Sequence, residues 1–326
     1  MTLYVLYGSK NTTMKKLFFL LFITSLSFAQ KRITSYEIID PKQFQGKIER
    51  IDSFPTKYIV PRAVDVWLSS DYSKNKKYNV LYMHDGQMLF NANTTWNKQE
   101  WMVDEVITKL ALENKIQNLI VVAIYNIPDL RHTDMYPKKP YQLLTKEEQE
   151  KVQIEAKKLK MDWSIEKINS DNYLKFIVEE LKPFIDKNYS VYTDANHTGI
   201  MGSSMGGLIS MYAFCEYPKI FGNSACLSTH WIGFREFENN PIPESFFTYL
   251  ERNLPAPKKH KIYFDYGTET LDAFYLPYEH RVDEILKAKG YTSKNYKNLK
   301  FDGENHSEAS WQKRINIPIE FMFGKQ

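Results

Sequence analysis

From residue 62 onward, short apolar runs alternate with stretches in which apolar residues recur every three or four positions. The runs predict strands at residues 64–68, 78–83, 119–124, 198–202, 225–228, 261–266 and 299–301. Helical spacing predicts helices over 99–113 and 144–160, from a cap at Ser170 or Asp171 through Ile185, and near 206–217, 244–253, 278–289 and 307–323. The run 119–124 is apolar at every position, which predicts a strand covered on both faces. The Lys/Glu-rich stretch 144–160 predicts a helix with a solvated face. Strand–helix alternation of this kind predicts an α/β fold, a mostly parallel central sheet with helices on both faces. Residues 31–61 read as a further strand or two at the sheet edge. With no internal repeat and no Pro/Gly-rich linker, the expected organisation is one domain over residues 30–326.

The N-terminal residues follow a different logic. Lys15 and Lys16 precede an apolar run over 17–23, too short to cross a bilayer, and small residues follow at Ser27 and Ala29. This predicts a secretory signal peptide over residues 1–29, cleaved after Ala29, with Met14 a second candidate start. The expected location is periplasmic or secreted, with no stable membrane insertion after cleavage. No cysteine follows the run, which removes a lipoprotein signal.

Charge narrows the partners. The 43 Lys+Arg against 39 Asp+Glu give a net charge of +4, far from the basic footprint of a nucleic-acid binder. Loss of Lys10, Lys15 and Lys16 with the signal would bring the remainder near neutrality. Aromatic residues reach 15%, expected as core and scattered surface side chains rather than as a stacking surface. Cys215 and Cys226 both lie in apolar stretches and are expected as buried thiols; no CxxC or histidine cluster suggests a metal.

The most informative stretch is Gly202-Ser203-Ser204-Met205-Gly206, a G-x-S-x-G pattern after a predicted strand and before a predicted helix. A sharp strand-to-helix turn holds such a serine strained, and flanking glycines allow close backbone approach. The following helix aims its first amides where negative charge would develop. A serine hydroxyl needs a base and an acid that orients the base. If the chain order is serine, acid, histidine, the base is one of His230, His260, His280 or His306. His260 sits in a lysine-rich turn and His280 in a charged helix, whereas His230 follows a strand end. His306 lies between the last strand and last helix, where a base at the sheet's carboxyl edge belongs, and is favoured. The acid is expected on the turn after strand 261–266, as Asp272 or Glu269; Asp265 lies inside the strand. Asp272 is preferred because the loop needs length to curl back. The oxyanion amides are expected at Met205 and, after the strand ending at His84, at Gln87.

Together, Tyr82-Met83-His84-Asp85-Gly86-Gln87, Gly202-Ser203-Ser204-Met205-Gly206-Gly207, Tyr263-Phe264-Asp265-Tyr266-Gly267-Thr268 and Asn305-His306-Ser307-Glu308 with Trp311 resemble an esterase branch of the α/β-hydrolases. That group includes enterochelin esterases, S-formylglutathione hydrolase (esterase D), acetyl-xylan and feruloyl esterases and mycolyltransferases. The resemblance covers roughly residues 55–325. It implies an α/β-hydrolase fold, a triad of Ser204, Asp272 (or Glu269) and His306, and oxyanion amides of Gln87 and Met205. Many relatives place the acid within three residues of the glycine, where this chain has Thr270. Arg131, Asp134 and Tyr136 resemble a loop near the substrate cleft, with a structural salt bridge as the competing reading. The function implied is an exported serine esterase that forms an acyl-enzyme without metal or organic cofactor. Acylated carbohydrate is the expected substrate, siderophore esters next; export disfavours S-formylglutathione. An acyltransferase would share the acyl-enzyme. A non-catalytic binding protein on the same scaffold is disfavoured by the intact Ser204/His306 pair.

Overall fold

Nine strands of the described residues build one sheet: β1 (Tyr36–Ile38), β2 (Lys47–Phe54), β3 (Arg62–Leu68), β4 (Asn79–His84), β5 (Leu119–Ile124), β6 (Thr198–Ser203), β7 (Asn223–Leu227), β8 (Lys261–Gly267) and β9 (Tyr296–Phe301). Their spatial order is β1-β2-β3-β5-β4-β6-β7-β8-β9. β1, β2, β3 and β5 pair antiparallel, and every pairing from β5 through β4 to β9 is parallel. The computed structural model describes residues 33–38 and 44–325; the predicted signal peptide lies outside the described residues.

Helices cover both faces: α1 (Val103–Leu112), α2 (Pro128–Met135), α3 (Lys138–Gln142), α4 (Lys146–Lys158), α5 (Ser170–Lys175), α6 (Lys182–Asn188), α7 (Met205–Glu216), α8 (Ile242–Asn253), α9 (Leu276–Ala288), α10 (Glu308–Gln312) and α11 (Asn316–Phe323). The period of two in a strand explains why β4 and β5, buried at every position, carry apolar residues facing both ways. Val80, Tyr82, Ile120 and Val122 enter one core with Leu174 of α5, Leu208 of α7, Phe246 of α8 and Val282 of α9. Their sequence neighbours Leu81, Met83, Val121 and Ala123 enter the other, with Ile107 of α1 and Ile319 of α11. Cys215 and Cys226 are buried and unbridged.

Several elements differ from the sequence pattern for local reasons. β9 begins at Tyr296 rather than at 299; as an edge strand it is only half buried, so its first residues carry no apolar run. The helix from Ser170 contains a π-helical stretch, Phe176–Leu181, immediately before α6 and Pro183. Proline offers no amide, and the chain widens by one residue there, with the Lys182 amide reaching Ile177 O. The predicted helix 307–323 is two helices, and the break places Pro318 in the first turn of α11, where a missing N–H costs nothing. α2 and α3 occupy a segment read as a loop near a cleft. α2 has no apolar stripe to reveal it; ion pairs to Asp85 and Arg62 hold it instead.

Asp134 and Tyr136 therefore belong to the interior. Asp134 meets Arg62 at 2.7 Å with both side chains at most 2% exposed, and Asn169 Nδ2 donates to its other oxygen at 3.1 Å. Tyr136 is fully buried among Trp163, Phe234 and Phe246. Removing one partner of a buried ion pair strands the other, so Asp134→Ala should lower unfolding free energy by about 3–5 kcal/mol, read from the urea midpoint at unchanged slope.

His84 ends β4, is 1% exposed, and shares a 2.8 Å hydrogen bond between Nδ1 and the Tyr173 hydroxyl. Burial pushes its imidazole down to about 4. Folding therefore keeps it neutral while an unfolded chain takes up a proton near pH ~6.5. The stability it carries is full above that value and is lost as pH falls toward the folded value. Between about pH 7 and about pH 5, urea titrations should show wild type losing about 2 kcal/mol more than His84→Gln.

Candidate active site

Ser204 stands between the end of β6 and the first turn of α7, with φ 57 and ψ −120. A residue with a side chain reaches this backbone region only when its surroundings impose it. Here the Ser204 amide donates to Leu227 O at 2.9 Å, and the Ser204 carbonyl accepts from Leu208 and His230 amides at 3.1 and 3.3 Å. The glycines make the turn possible: a Cβ on Gly202 would lie 2.8 Å from the Gly206 backbone. Ser204 is 9% exposed, at the rim rather than sealed in the core.

Asp272, in the turn after β8, and His306, in the loop after β9, meet beyond the ends of these neighbouring strands. His306 Nδ1 and Asp272 Oδ1 are 2.5 Å apart, and Asp272 is 1% exposed. The second oxygen of Asp272 accepts from the Gly267 amide at 2.7 Å and the Ser228 hydroxyl at 2.6 Å. Burial pushes this carboxyl up, but the hydrogen bond and charge of His306, with Ser228 and Gly267, more than offset it and hold it below its ordinary value. The turn after β8 is strapped to the His306 loop: Thr268 and Glu269 amides donate to Glu304 O, and Thr270 Oγ1 accepts from the His306 amide at 3.0 Å. A Cβ at Gly267 would lie 2.1 Å from that Glu304 oxygen. Glu269 is exposed, and its backbone alone takes part in the strap, so Asp272 and not Glu269 is the acid that reaches His306.

Ser228 had no signal in the sequence beyond closing a predicted strand. Its hydroxyl oxygen accepts from Trp311 Nε1 at 2.9 Å and from Arg314 Nη2 at 3.0 Å. Those donors occupy its lone pairs, so its own proton points at Asp272. Arg314 is itself anchored on buried Asp265 at 3.0 Å. Asp265 thus supports the site from beneath. Ser228 also ties the two halves of the rim together, because its neighbour Leu227 accepts from the Ser204 amide. Trp311 sets its ring edge-on to His306 at 5.1 Å and 82°.

Gln87 lies in a short turn, Gly86–Met88, that follows Asp85 at φ 57. Among the described residues, no hydrogen bond runs from the amides of Gln87 or Met205 to the protein. The turn is held by Arg131, which grips both oxygens of Asp85 at 2.7 and 2.8 Å, and by Asn126 Nδ2 at 2.6 Å. Burial raises the Asp85 carboxyl; the Arg131 charge and hydrogen bonds outweigh this and keep it low. Arg131 is the one residue of the segment 129–137 singled out in the sequence that reaches this rim.

The three other candidate histidines are placed elsewhere. His230 is buried, its Nδ1 2.8 Å from the Tyr275 hydroxyl and its Nε2 3.2 Å from Phe234 O, and burial pushes its imidazole far down. His260 turns both ring nitrogens to the carbonyls of Ala256 and Pro218. His280 faces solvent.

This arrangement has counterparts. An uncharacterized protein of Bacillus subtilis (strain 168), YbbA, is 26% identical over 161 residues, 47% of this chain and 60% of that relative, so the match spans less than two thirds of its length. Among solved structures, a ferulic acid esterase superposes with TM-score 0.59 at 19% identity, covering 86% of this chain and 98% of the other. The enterobactin esterase of Shigella flexneri superposes with TM-score 0.59 at 15% identity, over 86% of this chain and 60% of that one. Both likenesses are of fold, that of an α/β-hydrolase. Residues 60–317 match the family described as Putative esterase. Covering most of the sequence, from β3 to α11, that match makes the chain a member of the Putative esterase family.

Proposed function

We propose that the chain is an exported serine esterase that cleaves carboxylic esters through an acyl-enzyme. Family membership supports ester hydrolysis as the reaction class. The observation that carries the serine mechanism is the 2.5 Å contact between buried Asp272 and His306, on the rim where Ser204 turns into α7. Ser204 Oγ attacks the ester carbonyl while His306 Nε2 takes its proton, and the imidazolium so formed is stabilised by Asp272. The tetrahedral oxyanion is held by the amides of Gln87 and Met205, neither of which is spent on the protein. Collapse breaks the ester C–O bond, and His306 returns its proton to the departing alcohol. Water, deprotonated by His306, then splits the acyl-enzyme and frees the acid and Ser204.

Export rests on the signal pattern of Lys15-Lys16, the apolar run and Ala29, with the enzyme being the single domain over 30–326. Among the described residues no helix is long and apolar enough to cross a membrane. An acylated carbohydrate is the substrate we favour, with siderophore esters second. The ferulic acid and enterobactin esterases on the same fold support either.

The reading is tested with p-nitrophenyl acetate. Ser204→Ala and His306→Ala should abolish turnover, and a fluorophosphonate should label wild type but not Ser204→Ala. Asp272→Asn should lower kcat by about 10⁴, because the neutral amide no longer fixes the imidazole tautomer. Undiminished turnover by Ser204→Ala would remove the serine mechanism. Ser228→Ala removes one hydrogen bond to the ionised acid; kcat should fall about tenfold with KM held.

A further inference from the structure

Asp272 holds the His306 ring at one atom, and a single hydrogen bond leaves an imidazole free to swing about the line from Nδ1 to Oδ1. Two aromatic side chains limit that swing. Trp311 stands at 82° to the imidazole with ring centroids 5.1 Å apart, and Tyr275 at 76° and 6.0 Å. The Ser228 hydroxyl holds Trp311, so that contact belongs to the Asp272 cluster. What holds Tyr275 leads elsewhere.

Tyr275 is fully buried, although Phe274 and Leu276 on either side of it are exposed. Its backbone stays with the acid, the amide donating to Asp272 O at 2.9 Å. Its hydroxyl turns to His230 Nδ1 at 2.8 Å. The direction of that hydrogen bond follows from the other ring nitrogen. His230 Nε2 lies 3.2 Å from Phe234 O, and a carbonyl can only accept, so Nε2 carries the proton. Burial keeps this imidazole neutral, and the nearby His132 and His306 act in the same direction. Nδ1 is therefore bare, and the Tyr275 hydroxyl donates to it. His230 is tied to the nucleophile in turn, its amide donating to Ser204 O at 3.3 Å.

A connected path thus runs from the Ser204 carbonyl through His230 and the Tyr275 hydroxyl to the edge of the His306 ring. It shares no side chain with the path through Leu227, Ser228 and Asp272. Proton transfer from serine to imidazole depends on the relative placement of the two groups, and a small error in it is costly. Asp272 sets one nitrogen of the base; the second path sets the plane of its ring against the nucleophile's own turn. A buried hydroxyl and a buried imidazole that satisfy each other also specify one arrangement, because any other leaves both unpaired.

We propose that His230 and Tyr275 are positioning residues, a strap that sets the His306 ring against Ser204 for proton transfer. The proposal rests on the serine-esterase reading, and it makes His230, a rival for the base by its place in the chain, part of the base's support. Turnover of p-nitrophenyl acetate is measured per fluorophosphonate-titrated site, so that misfolded molecules do not count. Tyr275→Phe, which keeps the ring and loses the hydroxyl, and His230→Phe should each lower kcat about tenfold with KM held. His230→Gln, which offers one acceptor and one donor, should recover most of the loss, and His280→Gln, at the solvent, should lose nothing. Because the two residues act through one link, the double variant Tyr275→Phe/His230→Phe should be no slower than either single one. Imidazole proton–nitrogen spectra read the ring without turnover: the His306 signals, identified by their absence in His306→Gln, should broaden or split in Tyr275→Phe and His230→Phe and stay unchanged in His280→Gln. Unchanged kcat per site together with unchanged His306 signals overturns the strap, as do losses that multiply in the double variant. If wild type neither cleaves the ester nor takes the fluorophosphonate, the esterase reading fails, and the His306 signals alone decide for or against the strap.

Discussion

The site is organised around one electrostatic constraint, a carboxylate that must stay ionised inside the protein. Burying an ion away from water is costly unless it is paired and hydrogen-bonded. Asp272 meets that demand with a backbone amide from the end of β8, a hydroxyl from the end of β7 and the imidazole of the β9–α10 loop. Each partner comes from a different segment of the parallel sheet. Satisfying one carboxylate therefore fixes the relative positions of three strand ends, and Ser228 extends the constraint to β6, because Leu227 holds the Ser204 amide. Arg314 and Asp265 carry the same logic one layer deeper, a buried cation set between an anion and a hydroxyl oxygen.

Much of this architecture is legible in the sequence, because apolar runs and helical spacing report burial directly. β4, β5 and β8 carry apolar runs that reach both faces of the sheet, and Gly202 and Gly206 flank a serine where strand gives way to helix. Other parts are illegible for stated reasons. α2 is held by ion pairs to Arg62 and Asp85, residues far away in the chain, and pairwise charge leaves no periodic trace. Ser228 and Arg314 act through contacts 44 to 86 residues apart, with no spacing rule to mark them.

Ionisable groups at the rim are sorted by their partners. Asp85 and Asp272 are buried alike, and both are held low because Arg131 in one case and His306 with its neighbours in the other outweigh desolvation. His84 and His230 have hydroxyl and carbonyl partners and no anion in hydrogen-bond contact, so burial wins and both stay neutral. His306 is the imidazole here that touches a carboxylate. That contact, rather than its place in the chain, separates it from His230 as a base.

Backbone strain follows the same geography. Asp85, Ser204, Ser228 and Thr270, each a residue with a side chain, adopt φ between 42 and 57 just beyond the carboxyl ends of β4, β6, β7 and β8. Each such residue costs of the order of 1–3 kcal/mol and survives only where surrounding contacts over-determine it. At each strand end those contacts are ones already described: Arg131 on Asp85, Leu227 and His230 on Ser204, Asp272 on Ser228, the His306 amide on Thr270. A parallel sheet delivers its strand ends to one edge with their carbonyls aligned, and an ordinary exit would carry each chain straight past it. The left-handed residues turn the chain sharply there, so that the Asp85 and Ser204 turns present amides, the Ser204 and Ser228 turns hydroxyls, and the Thr270 turn the carboxylate two residues later. The strain is the means by which a rigid sheet aims its loops at a single point.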